Sequence, residues 1–191
     1  KKTCGQTYLE LYLIEPESAN IAKIRAYVDS RIREIAAGES PREGWYYCDT
    51  LYVGPPTIAM LGKATGEQKY YDYLNQVYWD VADHLFDEEY GLFYRDKNYF
   101  DAETDSGRKV FWSRGNGWVI GGIPRILQYL PEDNERYGDY VQLMQTMAAA
   151  IARQQGDDGL WRANLDDPDQ HPNPETSGTA FFCYAMAWGV N

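Results

Sequence analysis

Helical periodicity runs through almost the whole chain, and a glycine–aromatic pair recurs after long helices; together they predict an all-α fold of stacked helical hairpins. With 191 residues, 44% of them hydrophobic and 15% aromatic, the chain has apolar surface for one sizeable core, so a single domain is expected. Such hairpins cannot bury their apolar faces alone and must stack on one another. With the glycine–aromatic links along one rim, the stack is expected to curve into an α/α toroid. An open superhelical array is the alternative, but no fixed period of about 34 residues is found.

The elements follow from spacing. Tyr8, Leu9, Leu11 and Tyr12 lie three and four apart over residues 5–14, and Pro16 breaks the run. Residues 17–37 repeat the pattern with Ile21, Ile24, Val28, Ile32 and Ile35, and Gly38 ends it. Leu51, Ile58, Met60 and Leu61 mark a helix strained at Pro55-Pro56 and stopping near Gly66. Residues 67–86 form a long aromatic-rich helix, 113–130 and 134–155 a pair, and 176–189 a further helix. Roughly seven helices result, fewer than a six-hairpin toroid contains, and no linker composition marks either end. The chain, residues 1–191, is therefore expected to be one catalytic toroid domain truncated at both ends.

The repeat consists of Gly44-Trp45-Tyr46, Gly91-Leu92-Phe93 and Gly159-Leu160-Trp161, at spacings of 47 and 68. The second interval is longer because residues 96–110 read as an inserted polar loop.

Composition excludes several functions. A net charge of −11 argues against nucleic acid, and an anionic ligand would need a local cationic pocket. No apolar run is long enough for a transmembrane helix, and no membrane partner is expected. Cys4, Cys48 and Cys183 are scattered, and His84 and His171 cannot form a metal centre by themselves, so no metal or other cofactor is expected. No nucleotide-binding, serine-hydrolase or zinc-protease motif appears. The 17 Tyr and 6 Trp against 6 Phe suit stacking on sugar rings, or simply the filling of helix interfaces.

Four clusters lie where loops meet helices. In Trp45-Tyr46-Tyr47-Cys48-Asp49, Asp49 is either an N-cap or a partly desolvated carboxyl suited to acid/base work. Phe111-Trp112-Ser113-Arg114-Gly115-Asn116-Gly117-Trp118 brackets Asn116 with glycines that permit positive φ and close approach, beside a planar guanidinium that fits a carboxylate. This segment reads as a site. In Pro172-Asn173-Pro174-Glu175-Thr176-Ser177-Gly178, Thr176 or Ser177 would cap the helix, and the free N–H groups could take a substrate oxygen. In Gly91-Leu92-Phe93-Tyr94-Arg95-Asp96 the last two residues read as a surface ion pair of little energetic weight. His84 reads as structural; His171 is ambiguous.

These segments, with Cys4-Gly5-Gln6-Thr7-Tyr8, resemble glycoside hydrolase family 105, the unsaturated rhamnogalacturonyl hydrolases, and more distantly family 88. Trp112 to Trp118 and Asn173 to Gly178 are the most specific matches. The resemblance implies an (α/α)6 barrel and removal of a terminal unsaturated uronic acid from pectin-type oligosaccharides by hydration of its C4=C5 bond. It implies no metal, and Asp49 as the proton donor. Tyr47, Trp112, Arg114, Trp118, Arg95 and Ser177 match positions around the substrate. In the family a second pocket Asp falls at a position at or before Lys1, Tyr47 stands where Trp is frequent, and Arg95 stands where His is frequent. Two other readings stay open: a different toroid sugar enzyme, such as an epimerase or a glycosidase using Glu175 as a second carboxylate, and a non-catalytic sugar-binding or helical-repeat scaffold. Oligomeric state is left open, as is the choice between cytoplasm and periplasm.

Overall fold

The computed structural model describes residues 4–191. The helices are α1 (Cys4–Ile14), α2 (Ser18–Ala36), α3 (Thr50–Val53), α4 (Pro55–Thr65), α5 (Gln68–Leu85), α6 (Ser113–Leu127), α7 (Tyr137–Ala152) and α8 (Thr176–Gly189). The all-α expectation holds, with two local departures. The helix expected to bend at Pro55-Pro56 is instead two helices: Gly54 separates α3 from α4, and Pro55 opens α4, where its missing N–H costs nothing. A short antiparallel pair, β1 (Phe86–Asp87) and β2 (Leu92–Phe93), follows α5 and was not expected from periodicity.

α6 is the centre of the packing. It contacts α3, α4, α7 and α8, while α1 packs on α2 and α4, and α4 on α5. Val119, Ile120, Ile123 and Ile126 are wholly buried, and Gly115, Gly117, Gly121 and Gly122 are buried as well. A helix enclosed on so many sides needs small residues where neighbours come close. A Cβ on Gly122 would lie 3.0 Å from the Leu51 carbonyl oxygen, and one on Gly121 would lie 3.1 Å from the Phe181 ring. Around α6 the core is completed by Leu61, Tyr70, Leu74, Tyr78, Tyr140, Met147, Ile151 and Phe182. On α1, by contrast, Tyr8, Leu11 and Ile14 are exposed.

The glycine–aromatic repeat has a backbone cause. Gly44, Gly91 and Gly159 all adopt left-handed φ (78°, 68° and 78°), which a side chain disfavours. Each turn drives an aromatic ring into the core: Trp45, Phe93 and Trp161 are all 2% exposed or less.

The loop over residues 96–110 is built, not merely polar. It holds a 3-10 turn (Lys97–Tyr99) and a bridge between Glu103 and Lys109. Lys109 Nζ donates to Asp87 (3.0 Å) and to the Tyr94 hydroxyl (2.6 Å), which itself donates to Asp87 (2.7 Å). Burial opposes ionisation of Asp87, but the Tyr94 hydroxyl, the Tyr90 amide and the Lys109 ammonium outweigh it and hold its carboxyl below the usual range. Further along, buried Asn164 accepts the Phe111 amide and donates to the Lys109 carbonyl, tying the loop's end to residues 162–170.

Two predictions follow from these contacts. Gly91→Ala and Gly159→Ala should each cost about 1 kcal/mol for left-handed backbone. Gly91→Ala should cost more, because its Cβ would lie 3.1 Å from that of Ala150, whereas Gly159 has only Gln155 Nε2 at 3.9 Å; denaturant midpoints measure the difference. For Asp87, a folded-state pKa below the unfolded one means stabilisation complete above about pH 4 and lost as pH falls through the lowered value. Melting temperature should therefore drop more steeply below about pH 4 in the parent than in Asp87→Asn.

Candidate functional site

Asp49 occupies the N-cap position of α3, yet its side chain makes no capping hydrogen bond. No other described side chain pairs with the carboxylate, which is half-buried. Beneath it, Cys48 is buried; burial first, then the Asp49 charge, pushes its thiol well above the ordinary range. Cys48 is thus a neutral packing group rather than a nucleophile. The Cys48 amide donates to the Arg95 carbonyl (2.9 Å), which joins the Asp49 segment to the turn after β2.

That turn is in turn fixed to α6. The side chain of fully buried Asn116 accepts the Phe93 amide (2.8 Å) and donates to the Phe93 carbonyl (3.0 Å) and the Trp112 carbonyl (3.1 Å). Gly115 closes the circle, since a Cβ there would lie 2.6 Å from the Trp112 ring and 3.0 Å from Cys48 Sγ. The bracketing glycines therefore act by close approach alone; Gly115 and Gly117 are helical, and neither has positive φ.

At the start of α6, the Arg114 guanidinium lies over the Trp112 ring, 4.4 Å from its centroid, and 3.6 Å from Glu175. Glu175 changes the reading of the α8 entry. It, and not Thr176 or Ser177, is the N-cap: its carboxylate accepts the amides of Ser177 and Gly178 and the Ser177 hydroxyl (2.5 Å). Those N–H groups are consequently unavailable to a substrate oxygen. A carboxylate so fully engaged is also a poor second acid for a two-carboxylate glycosidase. The sequence missed it because Ser and Thr are the usual caps and Glu is not.

Trp118, one turn below Arg114, is half-buried between Tyr52 (4.9 Å between ring centroids) and Phe181 (4.4 Å). Tyr47 is largely exposed and faces the Arg95 guanidinium at 5.4 Å. Arg95 and Asp96 do approach, at 3.6 Å, but Asp96 is buried and caps the 3-10 turn through the Asn98 amide, so it is more than a surface partner. His84 packs edge-on against Phe100, and His171 is exposed. In the Cys4–Tyr8 segment, Gln6 is buried between the Tyr52 carbonyl and Arg125. The position at or before Lys1 lies outside the described residues.

The fold and this rim together define an α/α-toroid architecture, with Asp49 unpaired among the described residues at the entry of α3, Arg114 and Glu175 at the entries of α6 and α8, and Arg95 in the turn after β2. The chain belongs to Glycosyl Hydrolase Family 88, whose sequence pattern matches residues 1–191. It is 44% identical over 163 residues to an unsaturated 3S-rhamnoglycuronyl hydrolase of Alteromonas sp. (strain LOR), covering 83% of this chain and 40% of that protein. It is 34% identical over 190 residues to a protein of the same name from Formosa agariphila, covering 92% of this chain and 50% of that one. A solved structure described as a polysaccharide lyase superposes with a TM-score of 0.93 at 34% identity, over 100% of this chain and 53% of that one. The chain thus spans about half the length of the curated relatives it matches.

Asn116→Ala would strip three hydrogen bonds from this rim and leave the Phe93 amide unsatisfied. The expected loss is about 2–3 kcal/mol, measured by urea unfolding.

Proposed function

We propose that this protein is a hydrolase that removes a terminal unsaturated uronic acid from oligosaccharides released by polysaccharide lyases. Asp49 is its general acid. The observation that carries this reading is the Asp49 side chain, which stands at the N-cap position of α3 without making a capping hydrogen bond, two residues after Tyr47, whose ring faces the Arg95 guanidinium. Family membership and the names of the two relatives support it. In the reaction, the Asp49 carboxyl gives its proton to C4 and water adds to C5. The hemiketal so formed then opens and expels the aglycone hydroxyl, so one water is consumed for each glycosidic bond broken. Arg114, on its Trp112 face, would hold the uronate carboxylate through its planar fork. Tyr47 and Trp118 offer ring faces to the sugars, and the Ser177 hydroxyl oxygen remains an acceptor. The sugar on the aglycone side of the cleaved bond is taken to be rhamnose, as the motif resemblance to rhamnogalacturonyl hydrolases and the relatives' names both suggest. Within the wider group, the rim resembles family 105 in its Trp112 to Trp118 segment.

One specific observation favours a second reading, namely the structural neighbour described as a lyase. The two chemistries move one signal in opposite directions. A lyase creates the conjugated C4=C5 bond from intact polysaccharide and raises ultraviolet absorbance; the hydrolase consumes that bond and lowers it.

The test uses the natural full-length protein with lyase-generated rhamnogalacturonan, glucuronan and ulvan-type oligosaccharides. Absorbance is expected to fall, and Asp49→Asn to slow the fall by about 10²–10⁴-fold with an unchanged melting curve. A rise on intact polysaccharide would establish the lyase reading. No change on any substrate would leave a binding scaffold as the better account.

A further inference from the structure

α3, which carries Asp49 at its entry, is a single turn of four residues. So short a helix gains few hydrogen bonds for the backbone it fixes, and contacts from elsewhere must set its direction. At its start the Cys48 amide is bound to the Arg95 carbonyl. Along its length it lies against Gly122 of α6, where a Cβ would come 3.0 Å from the Leu51 carbonyl oxygen and 3.2 Å from Tyr52 Cα. Its far end has a deficit written into the sequence. The positions three and four residues beyond Tyr52, whose amides would close on its carbonyl, are Pro55 and Pro56, which have no N–H. Gln6 supplies the donor: its Nε2 reaches the Tyr52 carbonyl at 3.0 Å from α1, and the side chain is buried. Its Oε1 accepts Arg125 Nε at 2.8 Å, and Arg125 Nη2 is bonded to Glu10 at 2.7 Å. A guanidinium only donates, so it turns the amide oxygen towards itself and leaves the NH2 group for the carbonyl.

We infer that Gln6 is a positioning residue for Asp49: through the Tyr52 carbonyl it fixes the turn that carries the acid, and Arg125 fixes the sense of its amide. This deepens the hydrolase reading and rests on it. Tyr52 is held twice from α6, its ring edge-on to Trp118 (4.9 Å between centroids) and its carbonyl by Gln6 with Arg125 behind it. Arg114 and Trp118, the groups proposed to hold the substrate, stand on that same helix. Acid and sugar are thus referred to one frame. Proton transfer to carbon requires this, because a misplacement of about 1 Å can cost about a hundredfold in rate. The clamp also gives a role to the Cys4–Tyr8 segment, which the reaction itself leaves unused. Since the substrate-holding groups do not depend on Gln6, its loss should slow the chemical step and leave affinity nearly unchanged.

The experiment uses the natural full-length protein and two variants. Gln6→Met keeps the volume and loses both hydrogen bonds; Gln6→Glu keeps a partner for Arg125 and loses only the donor to Tyr52, which guards against a variant that fails to fold. Turnover of lyase-generated oligosaccharides is followed by absorbance, and amide hydrogen exchange is read peptide by peptide. Both variants should lower kcat by about ten- to a hundredfold and leave KM within about twofold. Amides of α3 should exchange about tenfold faster or more, with those of α6 unmoved. In an Asp49→Asn background, Gln6→Met should change the residual rate little, because the two residues act as a unit. An unchanged kcat in the folded variants would overturn the proposal, as would a rise in KM alone or unaltered exchange in α3. So would an equal loss of rate with and without Asp49, which would make Gln6 a general stabiliser of the fold. The two readings fail separately. A parent that turns over no substrate, with α3 loosened by Gln6→Met, sinks the hydrolase and keeps the clamp; turnover indifferent to both variants does the reverse.

Discussion

The candidate site depends on one buried amide. Asn116 bonds both backbone groups of Phe93 and the Trp112 carbonyl, from a position with no access to solvent. An amide in that setting is costly unless every group is satisfied, so the turn after β2 has one favourable placement against α6. Through Phe93 that placement fixes Arg95, and through the Arg95 carbonyl it fixes Cys48 and Asp49. Asn164 performs the equivalent task at the other end of the inserted loop. Two buried asparagines thus tie both ends of the inserted polar loop into the rim.

The same economy governs the acids. Glu175 spends its carboxylate on the α8 amides, on Ser177 and on the approach of Arg114, so it organises cation and hydroxyl without itself being free. Asp49 holds the N-cap position of a one-turn helix and yet leaves its side chain unused. That contrast separates a carboxylate that orders the rim from one able to exchange a proton.

Much of this was legible before any coordinates. Spacings of three and four marked the long helices because an amphipathic helix must repeat its apolar face. The recurrence of the glycine–aromatic pair was readable, but positive φ was expected at the glycines around Asn116, whereas it falls on Gly44, Gly91 and Gly159. The cluster from Trp112 to Trp118 was marked as a site by residue type alone. The helix boundary at Gly54 was missed because Pro55-Pro56 looked like strain inside one helix, although proline is well suited to a first turn. The short β pair was missed because two-residue strands carry no periodicity.

By itself, then, the sequence determined the helical class and the recurrence of glycine–aromatic turns, since each rests on local backbone preference or side-chain chemistry. Only the tertiary structure decided which carboxylate is engaged and which is free, and that Arg95 lies between Tyr47 and Tyr99. Those outcomes depend on partners distant in the chain, such as Phe93 with Asn116 or Arg114 with Glu175. Local spacing cannot specify such pairs; they are selected by the requirement that buried polar groups be satisfied once the helices have packed.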